Sequence, residues 1–380
     1  MLNAMTRLEK CSTRGTLYKY TEYDTRSTNI YKCPTFIFLK GYIIPGNLIS
    51  MAIKNNDYNL VNVAFVGYGY IAQYWEKAIS QDSRINIAGI YDNGIAGSKI
   101  TGYKMYNNLV NLLENRQIDA YIICTPTHDH YRTAMEILSA GKNIVVEKPS
   151  VLNMTEYNNL LRKGDDSHAL IYNAFHFVYS PEIAWFRSSL PALYDRLGRI
   201  GSFYSYFSDP YFTGGKLKNN AYSLLGSWVD SGSNILSLLY SIFPDIWIDS
   251  LSFGDSYAGK YSDIFSTASM GFADTNNSVG FGYAVINWAS NTSLKFTDFL
   301  FPETNSRIRL NHSELTATLT DGDTNELLFS SIRENRLLAH YTGLVDSVYE
   351  SLSAARGNEE FGKMVYSTMY GSLDNGDSDA

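Results

Sequence analysis

Residues 61–72, VNVAFVGYGYIA, join an apolar run to the start of a helical pattern through two glycines. Gly67 and Gly69 stand one residue apart, and Ala72 occupies a third position where a small residue is common. In a βαβ unit, such a spacing allows a tight turn, a close approach of backbone to a pyrophosphate, and close packing of helix on strand. The stretch predicts either a dinucleotide site or only a tight turn, and the residues that follow decide between them.

The segment from residue 61 to about 175 alternates short apolar runs with helical patterns. Four of its five apolar runs contain Ile/Val pairs, which suit strands buried on both faces. The intervening segments carry apolar residues three and four apart, as amphipathic helices do. The runs are VNVAFV, INIAGIYD, AYIICTP, NIVVEKP and ALIYNAFHF. We therefore predict an N-terminal Rossmann domain, a doubly wound parallel α/β sheet, over residues 61–178.

The second half of the chain has a different pattern. One helical segment, residues 228–243, is followed by seven strand-like runs separated by Gly, Asn and Asp turns. A closing helix is expected over residues 337–355. This pattern predicts an α+β domain with a large, mainly antiparallel open sheet over residues 179–372, which would bind the substrate and mediate oligomerisation.

The first sixty residues resemble neither half. They show no helical or alternating periodicity, and Met51 precedes the first convincing strand by ten residues. We expect residues 1–60 to be a poorly ordered extension, in which Met51 is the natural start and the first fifty residues are not native. The alternative is a genuine arm used in oligomer contacts.

Composition narrows the class of partner. The 380-residue chain has a net charge of −7 and no Lys/Arg cluster, which argues against nucleic acid or an anionic membrane and favours a small molecule. Its three cysteines are too few and too scattered for a disulfide framework or a zinc site, and no metal-ligand spacing occurs. No segment reaches the roughly 20 apolar residues needed to span a bilayer. A cytoplasmic location is expected.

Asp92 strengthens the interpretation of the glycine turn. It closes the second predicted strand, where a carboxylate can accept hydrogen bonds from the adenosine ribose. The sequence after it, NG, offers no Arg for a 2′-phosphate, so NAD is favoured over NADP as the cofactor. Tyr70, Ile71 and Asn93 are its predicted companions in cofactor binding. The alternative is that Asp92 only begins a turn.

Two further groups end predicted parallel strands, at the sheet edge where ligands bind in this architecture. Thr125, Pro126 and His130 follow the third strand, and Glu147 and Lys148 follow the fourth. A lysine beside a nicotinamide can exchange a proton with a substrate hydroxyl, a role worth about a hundred- to ten-thousandfold in rate. Lys148 is therefore the candidate acid-base residue, the alternative being a surface lysine.

The order GYGYIA, Asp92, TPTHDH and GKNIVVEKP resembles the Gfo/Idh/MocA oxidoreductases from about residue 61 to the end of the chain. The resemblance implies cofactor contacts by the residues named above and a catalytic Lys148. It also implies catalytic partners in a D-x-G-x-H-x-x-D pattern on a helix of the second domain. Here WVDSGSNILS supplies Asp230, whereas Asn234 replaces the histidine. The resemblance thus implies that Asp230 orients Lys148 and that Asn234 is a catalytic residue acting through a hydrogen bond, the alternative being lost activity.

The aldose 1-dehydrogenase branch, which acts on galactose, arabinose or xylose, is similar at further points and also carries Asn at this position. The resemblance implies NAD-dependent hydride transfer at a sugar carbon, with C1 oxidation favoured and His176 as a substrate contact. The alternatives are a ketoreductase of a nucleotide-linked or phosphorylated sugar or inositol, and an inactive regulator that binds NAD and sugar. The resemblance also implies a homodimer or homotetramer formed through the open sheet face.

Overall fold

The computed structural model describes residues 36–39, 42–45, 59–94, 102–256, 263–332 and 335–374. Strands β1 (Phe36–Leu39) and β2 (Tyr42–Pro45) form a two-stranded antiparallel sheet. Apart from this hairpin, the prediction for residues 1–60 lies outside the described residues.

Six parallel strands form the Rossmann sheet, in the order β5-β4-β3-β6-β7-β8. Their bounds are β3 (Val61–Val66), β4 (Ile85–Tyr91), β5 (Met105–Tyr106), β6 (Ala120–Ile123), β7 (Asn143–Glu147) and β8 (Ile171–Ala174). The chain leaves β3 toward β4 on one side and returns to β6 on the other. This reversal places a ligand crevice at the carboxyl ends of β3 and β6, and the predicted doubly wound parallel sheet is confirmed.

Four helices lie between its strands along the chain and pack on this sheet: α1 (Tyr70–Ile79), α2 (Leu109–Leu113), α3 (His130–Ser139) and α4 (Met154–Ser167). Asn108 and Asn153 cap α2 and α4 by accepting hydrogen bonds from backbone N–H groups three residues later, at 2.8 and 2.9 Å. The helices bury their apolar stripes against Ile and Val side chains of the strands.

A second sheet of eight strands follows, in the order β12-β13-β14-β9-β15-β16-β17-β18. Only the β14–β9 pair in this sheet is parallel, so the predicted mainly antiparallel sheet is confirmed. The strands are β9 (Ser202–Pro210), β12 (Asp245–Ser256), β13 (Asp263–Ala273), β14 (Val279–Asn287), β15 (Ala289–Phe301), β16 (Ser306–Asn311), β17 (Thr316–Asp321) and β18 (Thr324–Ser330), with a separate small hairpin of β10 (Phe212–Thr213) and β11 (Lys216–Leu217).

The remaining helices are α5 (Pro181–Leu197), α6 (Ser233–Tyr240), α7 (Arg336–Ser353) and α8 (Glu359–Asp374). Sequence analysis missed α5 and α8. Pro181 is the first residue of α5 and Pro191 lies inside it. Because proline usually ends a helix, the sequence pattern did not predict this one. In α8, a Cβ on Gly362 would overlap the Tyr157 hydroxyl, so this helix carries a glycine for close packing. Within the described ranges, no helix is long and apolar enough to cross a bilayer.

Helix α7 packs against the Rossmann sheet although it lies far along the sequence. Tyr341, Leu344 and Val345 of α7 share one buried cluster with Val63 of β3 and Trp75 of α1. The closing helix therefore belongs to the core of the first sheet.

Candidate active site

The glycine turn lies where β3, β4 and β6 end together. Gly67 has φ of +86°, and a Cβ there would come within 2.7 Å of the Thr125 backbone nitrogen. Glycine is therefore required by both the left-handed backbone and the close approach. The Gly67 N–H donates to the Tyr91 carbonyl at 2.8 Å, which ties the turn to the end of β4.

The start of α1 is open and uncapped. Gly69 is the N-cap residue, no side chain caps this terminus, and a Cβ at Gly69 would meet no atom within 4 Å. Tyr70 is exposed and Ile71 half-buried at the first turn of the helix. Free backbone N–H groups, the helix dipole and open space suit an anionic pyrophosphate. The residues present thus fit a dinucleotide.

Asp92 is fixed at the end of β4. Its carboxylate accepts hydrogen bonds from the backbone N–H groups of Tyr68, at 2.7 Å, and Gly94, at 2.8 Å, while Asn93 is exposed. The carboxylate thereby holds one orientation beside the glycine turn. Residues 95–101, which follow, lie outside the described residues.

His130 links the two loops that carry the next predicted site residues. It is buried, and its ring nitrogens lie 2.8 Å from the Pro149 carbonyl and 2.8 Å from the Thr125 carbonyl. Burial lowers the pKa of His130. One ring N–H can donate to one of these carbonyls, and the imidazole lies between the Thr125–Pro126 and Lys148–Pro149 loops.

Glu147 joins three elements inside the protein. Its Oε1 accepts hydrogen bonds from Trp75 Nε1, at 2.7 Å, and from the Tyr341 hydroxyl, at 2.8 Å. Burial raises the pKa of this carboxyl group. The side chain thus fixes the end of β7 to α1 and α7, immediately before Lys148.

Lys148 and Asp230, 82 residues apart, form a nearly buried ion pair. Lys148 Nζ lies 2.6 Å from Asp230 Oδ1 and 3.0 Å from its backbone carbonyl oxygen. Asp230 lies in a π-helical turn, Trp228–Gly232, in which a Cβ on Gly232 would come within 2.8 Å of the Trp228 ring. The wide turn, a geometry frequent at functional sites, carries Asp230 to the carboxyl edge of β7.

Asn234 follows Asp230 by one turn, on α6. Its Oδ1 is buried and has no hydrogen-bond partner among the described residues. Such an unsatisfied buried acceptor costs about 1–3 kcal/mol. The position is therefore one at which a ligand donor would be stabilising.

His176 lies on the 3₁₀ turn after β8. Its Nδ1 is 3.1 Å from His340 Nδ1, and its ring stacks on Tyr341 with centroids 5.3 Å apart. Burial, followed by the charges of Lys148 and Arg336, lowers the pKa of His176 well below its usual range. The imidazole is therefore neutral at physiological pH.

Two features of this region were missed by sequence reasoning. Lys295 and Asp209 form a second buried ion pair, with Nζ 2.5 Å from Oδ1. Arg336 begins α7 and has no ion pair or hydrogen bond within the described part of the chain. The available signal was a lysine in the run LKFTDFLF at a position in phase with Phe299 and Phe301, which face inward.

Comparisons with known proteins support an NAD-binding Rossmann fold. A family profile described as an oxidoreductase family with an NAD-binding Rossmann fold, GFO_IDH_MocA, matches residues 61–175. A galactose 1-dehydrogenase from Pseudomonas fluorescens is 32% identical over 91 residues, 23% of this chain and 29% of its own. An inositol 2-dehydrogenase from Rhizobium meliloti is 28% identical over 144 residues, 37% of this chain and 42% of its own. The chain thus spans less than half the length of these curated relatives.

A solved NAD-binding oxidoreductase from Klebsiella pneumoniae shares the fold over a longer span. It superposes with a TM-score of 0.69 at 14% identity, covering 83% of this chain and 97% of that one. The glycine turn, the Lys148–Asp230 pair and the two sheets define a protein of the dinucleotide-binding Rossmann class. Over its Rossmann sheet, the chain is similar to the Gfo/Idh/MocA family of oxidoreductases.

Proposed function

We propose that this protein is an NAD(P)-dependent oxidoreductase that transfers hydride at a hydroxyl-bearing carbon of a sugar or sugar derivative. The observation that carries the proposal is the Lys148–Asp230 ion pair at the carboxyl edge of the Rossmann sheet. The matches to galactose 1-dehydrogenase and inositol 2-dehydrogenase support a polyhydroxy substrate. A cytoplasmic location is part of the proposal.

Each residue of the site has its own role in the proposed hydride transfer. Gly67 and Gly69 admit the pyrophosphate, and Asp92 binds the adenosine ribose. When bound, the nicotinamide supplies the acceptor or donor of hydride. Lys148 Nζ exchanges a proton with the reacting hydroxyl, and Asp230 orients Lys148.

Two further groups bind the substrate. The unpartnered Oδ1 of Asn234 accepts a hydrogen bond from a substrate hydroxyl. His176, neutral and held by His340, contributes a hydrogen bond rather than an exchangeable charge. This division leaves Lys148 as the group that moves the proton.

Within this class, oxidation of an aldose at C1 with NAD is favoured. The Asp92 carboxylate would repel the 2′-phosphate of NADP, which supports NAD as the coenzyme. The Asn at position 234, shared with the aldose 1-dehydrogenase branch, supports the aldose.

A specific observation favours a second candidate, reduction of a keto group on a phosphorylated or nucleotide-linked sugar or on inositol. Arg336 stands at the first position of α7, where the helix dipole disfavours a cation. Its charge lowers the pKa values of His176 and of Lys295, each of which is depressed chiefly by burial. An unpaired cation near these residues suits a substrate phosphate.

The outer face of the eight-stranded sheet supports a homo-oligomer. Trp247 of β12 and Phe281 and Tyr283 of β14 are exposed large side chains on this face. A sheet face with this many exposed aromatic groups is typical of an interface. We propose a homodimer or homotetramer formed through it.

The test is nicotinamide absorbance at 340 nm with NAD and, separately, NADP against aldoses, inositols, sugar phosphates and nucleotide sugars, in both directions. Turnover of a free aldose with NAD supports the leading function. Turnover confined to phosphorylated or nucleotide-linked sugars, lost in Arg336→Met, supports the second. Coenzyme binding without turnover across the whole panel contradicts both and points to a regulator that binds NAD and sugar.

A further inference from the structure

His176 and His340 form a pair of imidazoles at the carboxyl edge of the Rossmann sheet. His176 lies two residues beyond Ala174, the end of β8, and Ala174 pairs with Glu147, the last residue of β7. Lys148 follows Glu147 directly, so two neighbouring parallel strands end next to Lys148 and His176. The backbone pairing thus places His176 at the same edge as the proposed acid-base residue.

Tyr341 gives a second, direct link between this pair and β7. The His176 ring stacks on the Tyr341 ring with centroids 5.3 Å apart, and the Tyr341 hydroxyl donates to Glu147 Oε1 at 2.8 Å. His340 precedes Tyr341 on α7 and is fully buried, whereas His176 keeps 7% of its surface exposed. His176 is therefore the member of the pair that can contact a ligand.

The two imidazoles share one proton between their Nδ1 atoms. These atoms lie 3.1 Å apart, and the ring planes differ by 28°. Both rings are neutral, because burial holds the pKa of each well below its usual range. A neutral imidazole carries its proton on one nitrogen only, so this bond requires one ring protonated at Nδ1 and the other at Nε2. The tautomer of His340 therefore fixes the tautomer of His176.

The surroundings of His340 Nε2 decide between the two arrangements. This nitrogen is buried and has no hydrogen-bond partner among the residues that the structure describes. A proton on Nε2 would leave a buried N–H without an acceptor, a state that folded proteins rarely tolerate. Burial is the main cause of the lowered pKa of His340, and the charges of Arg336 and Lys295 add to it. A positive potential favours a bare lone pair over an N–H at Nε2, so the favoured arrangement protonates His340 at Nδ1.

His312, another fully buried histidine, shows the contrasting case. Its Nδ1 lies 2.8 Å from Glu182 Oε1 and its Nε2 lies 3.0 Å from the Thr297 hydroxyl. Both of its nitrogens contact polar groups of the core, as expected of a histidine that only supports the fold. His340 uses one nitrogen, and that nitrogen contacts His176.

We propose that His340 is a positioning residue that holds His176 in its Nε2–H tautomer, so that His176 donates a hydrogen bond to a substrate oxygen. This inference rests on the proposed function and deepens it, because it fixes the direction of the hydrogen bond at His176. The site then offers a donor at His176 and an acceptor at Asn234. A carbonyl, ring or hydroxyl oxygen suits the position at His176, whereas an ammonium group there is disfavoured.

The tautomers are tested by two-bond ¹H–¹⁵N correlation spectra of protein labelled with ¹⁵N-histidine, at about pH 8, above the ordinary histidine pKa. Single substitutions assign the six histidines. We expect His340 to be the Nδ1–H tautomer and His176 the Nε2–H tautomer. In His340→Leu, the His176 signals should become an average of both tautomers, whereas His340→Asn, whose amide can donate in place of Nδ1, should preserve them. Reversed tautomers in the wild type overturn the inference, and so does a His176 signal that His340→Leu leaves unchanged.

The role in recognition is tested by binding and kinetics. Calorimetry measures binding of the aldoses and inositols of the panel to the NADH-loaded protein, in which oxidation cannot proceed, and kcat/KM is measured with NAD. We expect His340→Leu to weaken binding and kcat/KM by about tenfold, mainly through KM, with coenzyme binding unchanged. His340→Asn should restore most of the loss, and His128→Asn, at an exposed site, should match the wild type. Equal losses in His340→Leu and His340→Asn overturn the inference.

The inference and the proposed function fail separately, because tautomers and binding are measured apart from turnover. Sugar binding that depends on His340, with the expected tautomers and no turnover, contradicts the proposed oxidoreductase and retains the role of His340. Turnover with reversed tautomers, or with binding independent of His340, does the opposite. Absence of sugar binding by the wild type overturns the recognition role. Should His340→Leu fail to fold, the wild-type spectrum still tests the tautomers.

Discussion

Asp230 holds the ammonium group of Lys148 at two points, through its Oδ1 at 2.6 Å and its backbone carbonyl at 3.0 Å. Side chain and backbone of one residue can both reach Nζ because Asp230 lies in a π-helical turn. The lysine is thereby fixed in direction as well as in position. Any proton it exchanges must involve an oxygen placed on the remaining side of Nζ.

Replacement of Lys148 by Met is expected to abolish turnover and leave coenzyme binding intact. The loss should reach at least about a hundredfold, because the variant retains the stem of the side chain and loses the proton-transferring group. Steady-state kinetics and NAD titration check this. Lys163→Met, on α4, is the control and should match the wild type. Substantial turnover by the Lys148 variant would defeat the assignment.

Replacement of Asn234 by Leu is expected to stabilise the fold or leave it unchanged while reducing activity. The substitution removes a buried acceptor without a partner, which costs about 1–3 kcal/mol. Asn173→Leu is the control, because the Asn173 side chain is bonded to Ser150, Tyr157 and Asn358 and its loss should destabilise by several kcal/mol. Urea unfolding measures both. Equal destabilisation by the two variants would contradict the prediction.

Asp92→Asn tests the coenzyme preference. The amide keeps one oxygen for a backbone N–H and removes the negative charge that disfavours a 2′-phosphate. We expect the ratio of kcat/KM for NADP to that for NAD to rise at least about tenfold, or about 1.4 kcal/mol. An unchanged ratio would show that residues other than Asp92 set the preference.

Stability should fall as the pH drops below about 6.5, the unfolded pKa of histidine. Burial lowers the pKa values of His176 and His340 in the folded protein, so the unfolded chain binds more protons there. Each histidine lowers the free energy of unfolding by up to about 1.4 kcal/mol per pH unit below pH 6.5. Above that pH its contribution to stability is fully present. Urea unfolding between pH 7.5 and 5.5 measures the slope. His340→Gln should flatten it, whereas His128→Gln, at an exposed site, should not.

Charged substitutions on the outer face of the eight-stranded sheet test whether this face forms the proposed oligomer interface. Phe281 and Tyr283 of β14 are 64% and 53% exposed. Phe281→Glu combined with Tyr283→Glu is expected to yield a monomer by light scattering, because buried like charges oppose association. Val110→Glu, on α2, is the control. A wild-type monomer, or a double variant of unchanged mass, would contradict the interface.

Five strands of the parallel sheet were predictable because each is an apolar run beside a helical pattern, whereas β5, with only Met105 and Tyr106, is too short to show one. The glycine turn and Asp92 were equally visible, since both lie within one βαβ unit. The pairing of Lys148 with Asp230 spans 82 residues, so only the family resemblance pointed to it. The ion pair of Asp209 and Lys295 was not predicted, because it forms only when β9 pairs with β15 around a register shift. No local sequence pattern indicates that pairing.

The packing of α7 against β3 and α1 limits how this protein can be divided into fragments. Tyr341 fills the space beside Trp75 and donates to Glu147, so the coenzyme-binding half draws part of its interior from the distant end of the chain. A fragment cut near residue 178 would expose that interior to water. Chimeras that exchange coenzyme modules between relatives must therefore transplant Arg336–Ser353 as a second, discontinuous piece.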